Sequence, residues 1–166
     1  MIVVSNAGPL IALARVDQLA LLPSLYGTVL IPRAVEQEVT GMGLTRPGAG
    51  EVRAASWIQT CDVVDQIAVS LLRERLDAGE SAAIVLALEK QADMLLIDEA
   101  KGRRIAQSKG LAHIGTVGIV VLAKRRGILT AVSPVLEQLI AAGFRMNDDL
   151  KRTALTLAGE PMGTLL

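Results

Sequence analysis

Short apolar runs alternate along the chain with longer stretches in which apolar residues recur at helical spacing. The clearest run is Met94-Leu95-Leu96-Ile97, which follows one helix-like stretch and precedes another. A wholly apolar run in that setting reads as a strand buried on both faces of a parallel sheet. Met1-Ile2-Val3-Val4 reads as a first strand of the same kind and Thr28-Val29-Leu30-Ile31 as a second. Residues 57–64 read as a third, placed at an edge, and Ala112-His113-Ile114 as a short last one.

Between these runs the spacing predicts helices. One follows Asn6 and carries Leu10, Leu13 and Ala14 on one face, with Pro9 in its first turn. A short helix covers 17–25, and Tyr26-Gly27 is a turn. Pro32 opens a helix over 33–40, which Gly41 and Gly43 stop; a loop at 42–50 leads to a short helix near 51–56. Further helices are expected at 66–76, 81–91 and 99–109. Gly115-Thr116-Val117-Gly118 turns into another that ends in Lys124-Arg125-Arg126-Gly127. Ser133 at the N-cap and Pro134 at the first helical position begin one that ends at Gly143. Asn147-Asp148-Asp149 caps a final helix that runs to about residue 158. Alternating strands and helices predict a three-layer α/β/α sandwich with a mainly parallel central sheet. One domain over 1–158 is expected, with a frayed tail over 159–166.

Composition narrows this picture. The chain has 166 residues, which suits one domain, and 51% of them are hydrophobic. Its aromatics are Tyr26, Trp57 and Phe144, so the core must be aliphatic, and no stacking platform for nucleobases is expected. Lys plus Arg and Asp plus Glu number 17 each, so no global basic field draws in nucleic acid. Zero net charge with positive mean hydropathy favours self-association, and a homodimer or higher oligomer is expected. The one cysteine, Cys61, excludes an internal disulfide and points to a reducing compartment; it reads as a small buried residue of the third strand. No apolar run is long enough to span a membrane, and no basic region precedes the first apolar stretch as in a signal peptide. A cytoplasmic protein is expected.

The candidate chemistry lies where polar residues follow strands, because open α/β sheets bind ligands at the carboxyl ends of their strands. Asn6 follows the first strand, Glu38 (with Glu36 nearby) lies on the helix after the second, Glu80 opens the helix before the Leu95 strand, and Asp98 ends that strand. Hard divalent cations such as Mg²⁺ and Mn²⁺ take oxygen ligands of this type and retain several waters. A cation so held can activate water and clamp a phosphate, so carboxylates meeting at this edge suggest phosphodiester hydrolysis. Each residue also has a purely structural reading. Asp77-x-x-Glu80 has the spacing of a capping box, Asp98 and Asn6 can cap helices, and Glu36 and Glu38 can sit on a solvated helix face. Thr116 is either a hydroxyl near the site or a helix N-cap. His113 reads as a core or edge residue of its strand and not as a ligand. Lys101, Arg103 and Arg104 could neutralise phosphates or line a solvated face. Lys124, Arg125 and Arg126 read better as charges favourable at a helix C-terminus.

Taken in order, these segments resemble the PIN-domain family, metal-dependent ribonucleases that include the VapC-type toxins of toxin–antitoxin pairs. The resemblance runs from Met1 to about Gly127 and more loosely beyond. It rests on Val3-Val4-Ser5-Asn6-Ala7-Gly8-Pro9-Leu10-Ile11, on Pro32-x-x-Val35-x-x-Glu38-Val39, on Leu76-Asp77-Ala78-Gly79-Glu80-Ser81-Ala82-Ala83-Ile84, and on Leu95-Leu96-Ile97-Asp98-Glu99 with Arg103-Arg104. The phrases around Asp77 and Glu80, around Asp98, and Gly115-Thr116-Val117-Gly118 are similar to a prokaryotic branch of unassigned function. The resemblance implies an endoribonuclease using Mg²⁺ or Mn²⁺, with Glu38, Glu80 and Asp98 as its carboxylates and RNA as its substrate. It also implies an antitoxin-type protein partner. This chain has Asn6 where the family usually has Asp, and Gly8 where Ser or Thr is common. Asn6 can still offer a carbonyl oxygen to a metal, but it leaves three carboxylates where four are usual. That substitution equally suits a PIN-fold module with weakened or lost catalysis that acts by binding protein or RNA.

Overall fold

The computed structural model describes residues 1–41 and 48–162. The chain begins with β1 (Val3–Ser5), α1 (Ala7–Arg15), α2 (Leu21–Tyr26), β2 (Val29–Pro32) and α3 (Arg33–Thr40). There follow α4 (Ala49–Ala54), β3 (Ile58–Cys61), α5 (Gln66–Leu72) and α6 (Ala78–Glu89). The rest comprises β4 (Met94–Leu96), α7 (Ala100–Ser108), β5 (His113–Ile114), α8 (Thr116–Arg125), α9 (Ser133–Ala141) and α10 (Asp148–Leu157).

The five strands form one sheet in the order β3-β2-β1-β4-β5, and every pair is parallel. The sheet is thus wholly rather than mainly parallel, with β3 at an edge as expected. Neighbouring residues of the central strands feed different cores. Val3 and Leu96 pack with α1, α2, α8, α9 and α10, whereas Val4, Leu95 and Ile97 pack with α6 and α7. Side chains alternate between the faces of a strand, so a run apolar at every position is stable only when helices cover both faces. This gives the three-layer α/β/α sandwich, and its core is aliphatic. Leu10, Leu22, Ile84, Leu95, Ile97 and Leu136 are among its fully buried side chains. Each contributes about 1.5–3 kcal/mol relative to exposure, so aromatics are not required.

Several boundaries differ from the sequence expectation for local reasons. The helix expected at 81–91 begins at Ala78, because Asp77 is its N-cap and closes a capping box with Glu80. The helix expected at 66–76 stops at Leu72, giving way to turns before that cap. The third strand is four residues long, not eight, and Asp65 caps α5 by accepting from Ala68 N–H at 2.9 Å. The helix after the second glycine loop starts at Ala49 rather than 51, just behind Gly48 at φ +91°; residues 42–47 of that loop lie outside the described residues. Val132, not Ser133, is the N-cap of α9. The expected fraying from Gly159 does not hold at Glu160, whose carboxylate accepts from Val132 N–H at 2.7 Å and meets Lys124 Nζ at 2.9 Å. Residues 163–166 lie outside the described residues. Among the described residues no helix is long and apolar enough to cross a membrane.

The topology fixes where a ligand can sit. From β1 the chain steps outward to β2 and β3 on one side, then returns to place β4 and β5 on the other. The winding direction reverses between β1 and β4, and the loops leaving their carboxyl ends diverge there to leave a crevice. The register pairs Ser5 with Leu96, so Asn6 and Asp98 both emerge at this edge.

Candidate functional site

Asn6 is the first residue past β1. It occupies the N-cap position of α1, but its side chain makes no capping hydrogen bond. Its backbone N–H is committed to Leu96 carbonyl oxygen at 2.9 Å, and its carbonyl oxygen accepts from Ser5 Oγ at 2.8 Å. Its side-chain Oδ1 is buried and has no hydrogen-bond partner. A buried acceptor left unmatched costs about 1–3 kcal/mol, so such atoms are rare unless something else completes them.

Gly79 shows what faces that oxygen. A methyl group on its Cα would lie 3.3 Å from Asn6 Oδ1 and 2.6 Å from Glu38 Oε2. Two oxygens from different elements therefore converge on one face of the first turn of α6, and the missing side chain makes room for them. Glu38 reaches this point from α3, while Glu36, two residues earlier, accepts from the Thr60 hydroxyl on β3. Residues two apart on a helix project about 200° apart, which separates the two glutamates. Both are half-buried: Glu36 is held against the sheet edge by Thr60, and Glu38 turns toward Gly79.

Glu80 is 7% exposed and serves the capping box: its backbone N–H donates to Asp77 Oδ1 at 2.8 Å, and its own Oε2 accepts from Asp77 N–H at 3.1 Å. The structural reading of Glu80 is therefore correct, and it does not exclude the other, since a carboxylate has about four lone-pair sites. Burial raises its pKa; the Asp77 N–H bond opposes this, while the charges of Asp77, Glu99 and Glu38 add to it.

Asp98 does not cap α7, whose N-cap is Glu99. Its Oδ1 accepts from Thr116 backbone N–H at 2.7 Å and its Oδ2 from the Thr116 hydroxyl at 2.7 Å. Gly115 is the N-cap of α8, so the Thr116 hydroxyl is released from capping and orients the carboxylate instead. Burial raises the pKa of Asp98 against those two bonds and the nearby Arg103. Gly8 and Gly115 enclose it: added methyl groups would lie 3.3 Å from Oδ2 and 2.8 Å from Oδ1. A side chain at position 8 would require Asp98 to shift slightly, and one at position 115 would require a larger shift.

The expected ligands divide into two groups along this edge. Asn6 and Glu38 meet at Gly79 in the first turn of α6, where Glu80 closes the capping box, and Asp98 is held by Thr116 between Gly8 and Gly115. Among the described residues no three His, Cys, Asp or Glu side chains form a ready metal cage. The donors present are oxygens only, and one of them is an orphaned buried carbonyl. That chemistry fits an open site for a hard dication that keeps much of its water.

Beside Asp98 opens a cleft of about 870 Å³ between α1, α7, α8 and the end of α9. Of the three basic residues read from the sequence as phosphate contacts, Arg103 lines it, while Lys101 and Arg104 do not. On α7 those two are exposed and Arg103 is half-buried. Arg15, His113, Phe144 and Arg145 also line the cleft. Their part was not legible from the sequence, because they come from α1, β5 and the turn after α9. Of the three aromatics, Phe144 is the one that lines this cleft.

A family model described as a PIN domain matches residues 2–160. No curated protein matches the chain.

Proposed function

Since the chain belongs to the PIN-domain family, we propose that it is a Mg²⁺- or Mn²⁺-dependent endoribonuclease that hydrolyses RNA phosphodiester bonds. The observation that carries this reading is the orphaned Asn6 Oδ1, which faces the same side of Gly79 as Glu38 Oε2. Asn6 and Glu38 would hold the ion from one side of the crevice. Glu80 and Asp98 would reach it directly or through water. The ion, when bound, supplies an activated water and neutralises charge on the scissile phosphate. Thr116 fixes the Asp98 carboxylate with two hydrogen bonds and so reduces the reorganisation needed on binding. Arg103, beside Asp98, would meet a phosphate oxygen. A role as the toxin of a toxin–antitoxin pair, with an antitoxin-type partner and a homodimeric or higher oligomeric state, goes with this reading.

The second reading is a PIN-fold binding module with weak or no catalysis. It is favoured by Asn6, which lowers the negative charge of the site by one, and by the lack of a closed three-residue cage among the described residues. Calorimetric titration of Mn²⁺ into the wild-type chain and into Asp98→Ala separates the two. The nuclease reading expects binding that is lost or strongly weakened in the mutant, and metal-dependent RNA cleavage that disappears with it. Cleavage by a purified, folded Asp98→Ala chain at the wild-type rate would overturn the site. Mn²⁺ binding by neither chain would transfer the conclusion to the binding module.

A further inference from the structure

We propose that the cleft beside Asp98 is a subsite for one unpaired nucleotide, its base lying against Phe144 and its phosphates against Arg15, Arg103 and Arg145. The proposal rests on RNA being the ligand of this edge, and it assigns a recognition role to residues outside the carboxylate group.

The end of α9 builds the platform. Gly143 has φ +96°, its N–H donates to Ile140 carbonyl oxygen at 3.0 Å, and Phe144 N–H donates to Leu139 carbonyl oxygen at 2.9 Å. These two bonds are the Schellman ending, which needs a residue in the left-handed region and turns the chain sharply out of the helix. Phe144 follows that turn. It is half-buried, packs against the main core, and still lines the cleft. Its ring is thus held by packing instead of being ordered at the moment of binding, which lowers the entropic cost of stacking. Ile11, Val117 and Leu139 continue the apolar lining.

The rim is basic. Arg15 ends α1, Arg103 lies on α7, and Arg145 follows Phe144 directly. Among the described residues none of the three forms an ion pair, whereas Arg33, Lys124, Lys151 and Arg152 each do. Arg103 acts electrostatically on Asp98, and Arg15 and Arg145 carry no ion pair among the described residues, so with the carboxylates Asp98 and Glu99 the lining is net positive by about one charge and offers guanidinium groups to a phosphate. An apolar platform with a guanidinium rim matches a nucleotide with its backbone. A base within a duplex is already stacked on both sides and cannot reach the floor, whereas an unpaired base can. The cleft volume also lies within the ~300–1,000 Å³ usual for small-ligand sites. Because Asp98 forms part of the wall, a nucleotide seated here delivers its neighbouring phosphate to the carboxylates.

The test is fluorescence anisotropy of a fluorescein-labelled oligoadenylate hexamer with the full chain, in EDTA so that no cleavage intervenes. Phe144→Leu keeps most of the packing volume and removes the ring. It should weaken binding roughly five- to hundredfold, as loss of one base–aromatic stack does. Phe144→Tyr should bind like the wild type. Arg145→Gln should lower the slope of log K against log salt by about 0.7, the value for one phosphate contact on a single strand. A duplex of the same length should bind more weakly than the hexamer. A Phe144→Leu chain with native circular dichroism and wild-type affinity would overturn the subsite, and so would equal affinity for duplex and single strand. Failure of the wild-type chain to bind the hexamer at low salt would also overturn it and leave the cleft to a peptide ligand. Cleavage with Mn²⁺, measured in parallel, keeps the two proposals apart. Binding without cleavage retains the subsite and removes the nuclease; cleavage with Phe144 variants of unaltered affinity does the reverse.

Discussion

Glu160 and Asp98 are both carboxylates withdrawn from bulk water, at opposite ends of the polar chemistry of this fold. Glu160 closes the chain onto the start of α9: it accepts from Val132 N–H at 2.7 Å and Ser133 N–H at 3.2 Å, and it pairs with Lys124 at 2.9 Å. Burial pushes its pKa up, but Lys124 and the two amides outweigh burial and hold it below the ordinary glutamate value. Asp98 also accepts two hydrogen bonds, yet burial outweighs them and its pKa is raised. Glu80 behaves as Asp98 does. Where a carboxylate serves only the fold, the chain supplies enough positive partners to stabilise its charge. At Asp98 the two Thr116 bonds and the nearby Arg103 do not offset burial, and at Glu80 the Asp77 N–H bond does not, so for both the neutral form is favoured relative to an ordinary carboxylate.

Exchanging the roles of the two regions gives the largest expected effect. Asp98→Ala should reduce metal-dependent RNA cleavage by roughly ten- to a hundredfold or more, as loss of a group orienting or binding a metal does. Glu160→Ala should leave the activity of the folded fraction unchanged. It should instead lower the unfolding free energy by about 1–3 kcal/mol, the range for hydrogen bonds to charged groups, read from urea midpoints. Loss of cleavage per folded molecule in Glu160→Ala would break the distinction.

Asn6→Asp sharpens the comparison from the other side. It places a charge where a neutral acceptor is now orphaned, next to Glu38. Mn²⁺ affinity should rise about tenfold, or ~1.4 kcal/mol, by calorimetry, while the metal-free chain becomes less stable. An unchanged affinity would mean that residue 6 does not face the ion.

Acid titration separates the regions by sign. The unfolded chain has the ordinary glutamate value of 4.5 at Glu160 and the folded chain a lower one. Its stabilisation is therefore complete above 4.5 and lost as pH falls through the lowered folded value. The urea midpoints of wild type and Glu160→Gln should differ at pH 7 and converge in acid, once the pH has passed below the lowered folded value. A difference that persists there would assign the effect to packing. The smallest change is expected at Glu80→Gln. It keeps an acceptor for Asp77 N–H and removes a desolvated charge, so stability should rise by up to about 1 kcal/mol while Mn²⁺ binding weakens. A destabilised Glu80→Gln chain would place Glu80 with Glu160.

The layers were legible because the evidence for them is local, whereas the strand order came only with the structure. Val3-Val4 and Leu95-Leu96 are apolar at both parities, which only a two-sided sheet satisfies, and Asn6 and Asp98 follow those runs directly. The capping box at Asp77 and Glu80 was legible for the same reason. Other features depend on contacts between distant segments. The choice between Glu36 and Glu38 turned on Thr60, the fate of Asp98 on Thr116, and the need for Gly79 on two oxygens from other elements. The cleft residues Arg15, Phe144 and Arg145 carry no mutual spacing that a linear reading could detect. Among Lys101, Arg103 and Arg104, neighbours in sequence, the helical rotation admits only Arg103 to the cleft.

The parallel pairing of β1 with β4 also governs when the crevice can exist during synthesis. Ile2 and Asp93, which hydrogen-bond at the start of this pairing, are 91 positions apart, and the Asp98 clamp waits for Thr116 on α8. A chain emerging from the ribosome N-terminus first has made Asn6 and Glu38 long before either partner is available. Closing so wide a loop is slow, because its entropy must be lost before its contacts form. A truncated or stalled chain therefore carries half of the crevice, and full assembly waits until most of the chain has been translated.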